Sequence, residues 1–297
     1  MAFGLQESLN QRRPKTEDRR PKAEGRRLKA EGCKILLMSR ADPASVASSI
    51  DEPAVRPDAL QTAMAAVRSV ATFVAIAVYV LVVAPPGLLL AQFFKWPGVL
   101  YVLGHGGVGL ALKLAGIKTV VRGREHLMPN RAVVFCANHQ SNVDPPVLFQ
   151  VLHRRLHILY KAELSKLPLL GRVFILGEFV PVERANREAA MASVSQGAQS
   201  LRNGNSFLIF PEGTRSPTRQ LLPFKKGGFI MALQAGAPIV PVAIEGGRAA
   251  MHKGSKLVWP TTVTVTIGPP IETAGMTIDD RDELIATVRQ RVQQMLG

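Results

Sequence analysis

The segment Asn138-His139-Gln140-Ser141-Asn142-Val143-Asp144-Pro145 sets a histidine and a carboxylate five residues apart. It follows an apolar, strand-like run over 133–137 and leads into a helix-like stretch that opens on Pro145-Pro146. His139 therefore stands where a buried strand ends, with Asp144 near a helix start. At this spacing Asp144 can accept a hydrogen bond from one ring nitrogen and leave the other free to take a proton. That is a general base with its orienting carboxylate, but no serine nucleophile accompanies it. The chain has no G-x-S-x-G elbow, and Ser141 is read as structural.

A second cluster repeats the arrangement. In Phe207-Leu208-Ile209-Phe210-Pro211-Glu212-Gly213-Thr214-Arg215-Ser216 an apolar strand again ends in a polar loop. Pro211 ends ladder pairing and Gly213 permits a sharp backbone bend. Glu212, Thr214 and Arg215 then emerge at the same kind of edge as His139. In α/β sheets, ligands bind beyond the carboxyl ends of the strands.

Together the two blocks resemble the signatures N-H-x4-D and F-P-E-G-T-R-S of the glycerolipid acyltransferase family, which contains the 1-acyl-sn-glycerol-3-phosphate acyltransferases. Two weaker blocks match in order. One is Lys161-Ala162-Glu163-Leu164 followed by Phe179-Val180-Pro181-Val182-Glu183-Arg184, and the other is Ala237-Pro238-Ile239-Val240-Pro241-Val242. The likeness runs over about 114–270. Its one departure is a glutamate before Arg184, where many members carry aspartate or asparagine.

The resemblance implies transfer of a fatty acyl group from a thioester to the free hydroxyl of lysophosphatidate, giving phosphatidate for phospholipid biosynthesis. His139 would be the base and Asp144 its orienting carboxylate. Lys161, Arg184, Gly213, Thr214 and Arg215 would surround the acceptor phosphate, and Glu212 would touch the glycerol or orient Arg215. The attacking group is then the substrate's own hydroxyl. Acyl-CoA or acyl carrier protein would be co-substrate, with no cofactor and no catalytic metal expected. Oxyanion donors are not singled out. Alternatives are glycerol-3-phosphate or another lysolipid as acceptor, and, from a different class, a non-catalytic basic module that binds membranes.

Composition agrees with an anionic partner. The 297 residues carry a net charge of +15, and 47% of them are hydrophobic. Aromatic residues are only 6% and fall mostly in apolar runs. Single-strand nucleic-acid surfaces interleave cations with aromatic platforms, so nucleic acid is not expected. The two cysteines, Cys33 and Cys136, occupy a charged tail and a buried strand, so no disulfide is expected.

The elements that must position this chemistry divide the chain in three. Residues 1–60 read as a basic disordered tail and linker. The first 40 hold eleven Lys or Arg against five acids, in a seven-residue repeat interrupted by prolines and lacking an apolar seam. A start further downstream, at Met38 or Met64, is an alternative reading of this tail. Residues 61–117 read as membrane-associated helices. A charge-free stretch lies between Arg68 and Lys95, with Pro85-Pro86 expected to break it. A second apolar segment covers 97–117. The part before the prolines would measure roughly 24 Å as a helix, short of a hydrocarbon core of about 30 Å. Basic residues on both sides favour a hairpin that dips into one leaflet and leaves the catalytic part on the cytoplasmic face. Gly104-His105-Gly106-Gly107-Val108-Gly109 fits G-x-G-x-x-G, but in an apolar helical setting it reads as close helix packing.

Residues 118–297 read as the acyltransferase domain. Strands are expected at 119–122, 133–137, 156–160, 179–181, 206–210, 239–244 and 263–267. Helices are expected at 145–152, 165–176, 187–202, 227–235 and 278–296. The alternation predicts an α/β fold, a mostly parallel central sheet flanked by helices, preceded by the membrane-associated hairpin.

Overall fold

The computed structural model describes residues 58–182 and 187–297. The tail expected over 1–60 lies outside them, apart from its last three residues. Two helices come first, α1 (Ala59–Phe93) and α2 (Gly98–Ala115). The strands follow as β1 (Ile117–Arg122), β2 (Val134–Ala137), β3 (Leu156–Lys161), β4 (Val180–Val182), β5 (Ser206–Ile209), β6 (Ile239–Glu245) and β7 (Thr261–Ile267). Between and after them run α3 (Asp144–Val151), α4 (Leu170–Leu176), α5 (Arg187–Arg202), α6 (Gly227–Ala235), the single turn α7 (Gly247–Ala250) and α8 (Arg281–Leu296). The sheet has the order β1-β7-β6-β2-β5-β3-β4. Among the described strands only β6 and β7 pair antiparallel with each other, and the other strand pairs are parallel.

The expected α/β architecture is therefore present, and burial explains its central strands. All four residues of β2 and of β5 are buried, as parallel strands covered on both faces must be. Alternate residues feed two cores. Phe135, Val242 and Ile244 pack on one face with Val147 and Leu148 of α3. Val134, Cys136 and Phe207 pack on the other with Phe229 of α6 and Leu284, Val288 and Val292 of α8. Each fully buried side chain of this size contributes roughly 1.5–3 kcal/mol. β7 has one face inward, and its valines alternate with threonines accordingly.

The expected break at Pro85-Pro86 does not occur. α1 continues through both prolines for 35 residues, roughly 52 Å. The proline φ is itself helical; the penalty comes from the lost amide and the crowded carbonyl four residues back. Here the segment after the prolines is held by packing. Leu88 and Ala91 meet Val99, Leu100 and Leu103 of α2. Earlier on α1 the Tyr79 hydroxyl donates to the Leu103 carbonyl at 2.8 Å. The glycine run lies inside α2 and serves this contact: a Cβ on Gly106 or Gly107 would meet the Tyr79 side chain at 3.0 or 2.7 Å.

Both helices are long and apolar enough to cross a membrane. Val67, Val70, Val74, Val78, Leu81 and Val82 of α1 are each more than half exposed. The hairpin is also tied to the sheet domain. Ser69 accepts a hydrogen bond from the Val258 amide at 2.8 Å. Gln150 of α3 donates to the His105 carbonyl at 2.6 Å. The Tyr101 hydroxyl donates to the Gly177 carbonyl at 2.8 Å and lies 3.0 Å from His157 Nε2. A hydroxyl has one proton, so with it spent on Gly177 the His157 Nε2–H must donate to Tyr101.

Burial pushes the His157 imidazole below its ordinary pKa of 6.5, the cost of charging it among Tyr101, Phe179 and Phe207. The unfolded chain then binds a proton that the folded one resists. Stability is full above the ordinary value and is lost as pH falls through it toward the depressed one. The loss should approach about 1.4 kcal/mol per pH unit over that window. Thermal unfolding between pH 8 and pH 5 should show a steeper acid-side fall in Tm for the wild type than for His157→Phe. Equal slopes would remove His157 as the cause.

Candidate active site at the carboxyl edge of the sheet

β2 is the middle of the sheet, and the chain leaves it at Asn138. This side chain is buried and bridges to the neighbouring strand in both directions. Its Nδ2 donates to the Ile244 carbonyl at 3.0 Å and its Oδ1 accepts the Ile244 amide at 2.7 Å. The clamp fixes where the next residue, His139, enters the edge. The imidazole stacks on Phe210, with ring centroids 4.2 Å apart and planes 27° from parallel.

Asp144 stands at the start of α3 and is fully buried. Three donors converge on its Oδ2: His139 Nδ1 at 3.0 Å, the Gln140 amide at 2.6 Å and the Ser141 amide at 2.6 Å. The turn 139–144 thus wraps around a single carboxylate oxygen. Nδ1 carries the donated proton, so Nε2 is the basic nitrogen. Ser141 is fully buried, and its hydroxyl donates to the Met251 carbonyl at 2.9 Å. It is structural, with no path to a substrate.

β5 leads into the second loop. Gly213 adopts φ +70°, and a Cβ there would strike Lys225 Nζ at 2.8 Å. Glu212 is occupied differently from the acceptor-orienting task expected of it. It is 3% exposed, one oxygen accepts the His139 amide at 2.8 Å and the other accepts the Leu222 amide at 2.9 Å. Burial raises its carboxyl above the ordinary pKa, while the two amides and His139 pull it back. Glu212 is a strut beneath the histidine loop, because a buried carboxylate goes to the donors that compensate its lost water. The Ser216 amide closes the junction by donating to the His139 carbonyl at 2.8 Å.

Arg215 precedes that junction and is partly buried, and its Nη1 is enclosed without a hydrogen-bond partner among the described residues. Thr214 is exposed beside it. Lys161 ends β3, two strands from β2. Its side chain and the whole of Arg184 lie outside the described residues. The structure thus joins His139, Asp144, Glu212, Gly213, Thr214 and Arg215 at one edge. Among the described residues no three His, Cys, Asp or Glu side chains group as a metal site would require.

Four participants were not read from the sequence. Asn138 and Phe210 flank residues that were, and lie inside the same motifs. Lys225 sits in Phe224-Lys225-Lys226-Gly227, a basic pair before a helix that could have been flagged. Gly247 gave no local signal. It opens α7, and a Cβ on it would collide with Asp144 Oδ1 and lie 3.3 Å from Ser141 Cβ. Its φ is not in the left-handed region, so space, not backbone freedom, demands glycine here.

Gly247→Ala should therefore displace the Asp144 carboxylate and swing His139 with it. A misplacement of about 1 Å can cost on the order of 10²-fold in rate. The expected result is a kcat loss of that order with substrate KM values nearly unchanged and Tm lowered by the strain on the buried carboxylate. A kcat equal to wild type would show that the contact places nothing.

Comparison with known proteins agrees with the geometry. The acyltransferase family model matches residues 118–245. The 1-acyl-sn-glycerol-3-phosphate acyltransferase of Limnanthes alba is 33% identical over 223 residues, which is 73% of this chain and 78% of that one. The human protein named 1-acyl-sn-glycerol-3-phosphate acyltransferase beta is 34% identical over 179 residues, 60% of this chain and 64% of its own. The crystal structure of the 1-acyl-sn-glycerophosphate acyltransferase PlsC from Thermotoga maritima superposes with a TM-score of 0.68 at 25% identity, covering 80% of this chain and 96% of that one. With likeness of this extent in sequence and in fold, the chain belongs to the glycerolipid acyltransferase family.

Proposed function

We propose that this enzyme acylates the free hydroxyl of 1-acyl-sn-glycerol-3-phosphate from a thioester, forming phosphatidate. The observation that carries the reading is the His139–Asp144 pair at the same sheet edge as Arg215. His139 Nε2 takes the proton of the acceptor hydroxyl as its oxygen attacks the thioester carbonyl. Asp144 holds the ring and stabilises the imidazolium that forms. A C–O bond forms, the C–S bond breaks, and the proton passes from His139 to the departing thiolate. No acyl-enzyme is needed, since the nucleophile belongs to the substrate.

The acceptor phosphate meets Arg215, Thr214 and the Gly213 turn, with Lys161 and Arg184 completing the site. A guanidinium nitrogen enclosed without a partner is suited to a phosphate oxygen. Lys225, above Gly213, adds a cation to the same loop. Acyl-CoA or acyl carrier protein supplies the thioester, with no cofactor or metal. The exposed apolar faces of α1 and α2 support attachment to the membrane that holds the lipid acceptor and product. The basic tail and domain favour the cytoplasmic face.

Membranes given labelled acyl-CoA with lysophosphatidate, glycerol-3-phosphate or another lysolipid test the reading. Wild type should acylate lysophosphatidate, and His139→Ala should lose about 10²–10⁴-fold in kcat while remaining folded. Near-normal turnover in that variant would refute the base assignment. Arg215→Ala should raise KM for lysophosphatidate and leave KM for the acyl donor unchanged. The reverse pattern would move Arg215 out of the phosphate site.

A further inference from the structure

The loop that follows α7 binds neither substrate in the reading above, yet it borders the same edge. Between Glu245 and Glu272 the chain contains no acidic residue, but it carries Arg248, His252, Lys253 and Lys256. The loop after α7 is pinned to the catalytic turn and to the hairpin. Met251 O accepts the Ser141 hydroxyl at 2.9 Å, the Trp259 amide donates to Ala250 O at 2.8 Å, and the Val258 amide donates to Ser69 of α1 at 2.8 Å. Its tip is exposed. Gly254 takes φ +91° with open space around it, and His252, Lys253 and Lys256 are exposed. No acidic side chain among the described residues pairs with either lysine.

Strand order says which substrate this loop faces. His139 leaves β2, the fourth strand of seven. The residues read as holding the acceptor phosphate leave β5, β3 and β4, all on one side of β2. The basic loop leaves β6, on the other side. An attacking hydroxyl and the carbonyl it attacks must reach one imidazole from different directions. With the acceptor on the β5 side, the β6 side is left to the thioester. Acyl-CoA and acyl carrier protein both carry phosphate at the end of the pantetheine arm remote from sulfur, which is the group that exposed lysines bind as point charges.

We propose that the loop 251–257 is the docking site for the phosphorylated end of the acyl donor, with Lys253 and Lys256 as its cations. The assignment rests on the acyl-transfer reading and deepens it. Lys253 also links the two substrate sides, because its Nζ donates one of three N–H groups to the Arg215 carbonyl at 2.9 Å. Lys256 has no such tie, which makes it the cleaner probe.

The test is steady-state kinetics on the full chain in detergent, for Lys256→Gln and for Lys253→Gln combined with Lys256→Gln. KM for palmitoyl-CoA should rise about tenfold in the double variant. In Lys256→Gln the KM for lysophosphatidate should stay at its wild-type value, and S-palmitoyl-pantetheine, which lacks phosphate, should serve the wild type and both variants equally. Acyl carrier protein loaded with the same acyl group forms the second arm. A rise with acyl-CoA assigns the nucleotide phosphates as the bound group, and a rise with the acylated carrier alone assigns its phosphopantetheine. A flat KM in both arms, or a rise confined to lysophosphatidate, would overturn the proposal. Calorimetric titration of free coenzyme A with no acceptor present separates the two readings. If lysophosphatidate is the wrong acceptor, wild type gives no product from it, yet weaker coenzyme A binding to the double variant still supports the loop.

Discussion

A single carboxylate oxygen organises this site. Asp144 is buried, and Oδ2 receives a ring N–H and two successive backbone amides. Burying a carboxylate without donors is costly, so the turn 139–144 must close around this one. That closure makes the strand-to-helix turn compact, brings His139 back over the edge and fixes which ring nitrogen holds the proton. The orientation of the base is thus a consequence of how one oxygen of a buried carboxylate is satisfied.

Other buried polar groups extend the same constraint across the sheet. Asn138 locks the end of β2 to β6, and Glu212 joins the His139 and Leu222 amides. Gly247 closes against Asp144 from the β6 side with no side chain of its own. These contacts couple three strand ends, so the two motif loops and the basic loop after β6 share one rigid floor. The hairpin joins the same floor through Ser69 and Tyr101, which links the apolar outer surface to the reaction edge.

Much of this was legible because it is local. Each central strand is a short apolar run ending in proline, glycine or a polar cluster, and the four residues between His139 and Asp144 suit one turn. What was not legible depends on long-range packing. Asn138 meets Ile244 across 106 positions, so nothing nearby marks it as a clamp. Glu212 looked available to Arg215 because both lie in one motif, but burial sends it to amides. Pro85-Pro86 looked like a helix break by a local rule that the packing of α1 on α2 overrides. Gly247 appears unremarkable until the fold sets it against a carboxylate.

The proposed chemistry depends most on the ring state of His139. Nitrogen NMR of isotopically labelled histidine, with His139 assigned by its loss in His139→Ala, reads that state directly. With the ring neutral, a protonated Nδ1 and a free, basic Nε2 are expected, with that preference weakened in Asp144→Asn. A protonated Nε2 in the wild type, or a ring state indifferent to the Asp144 change, would contradict that chemistry.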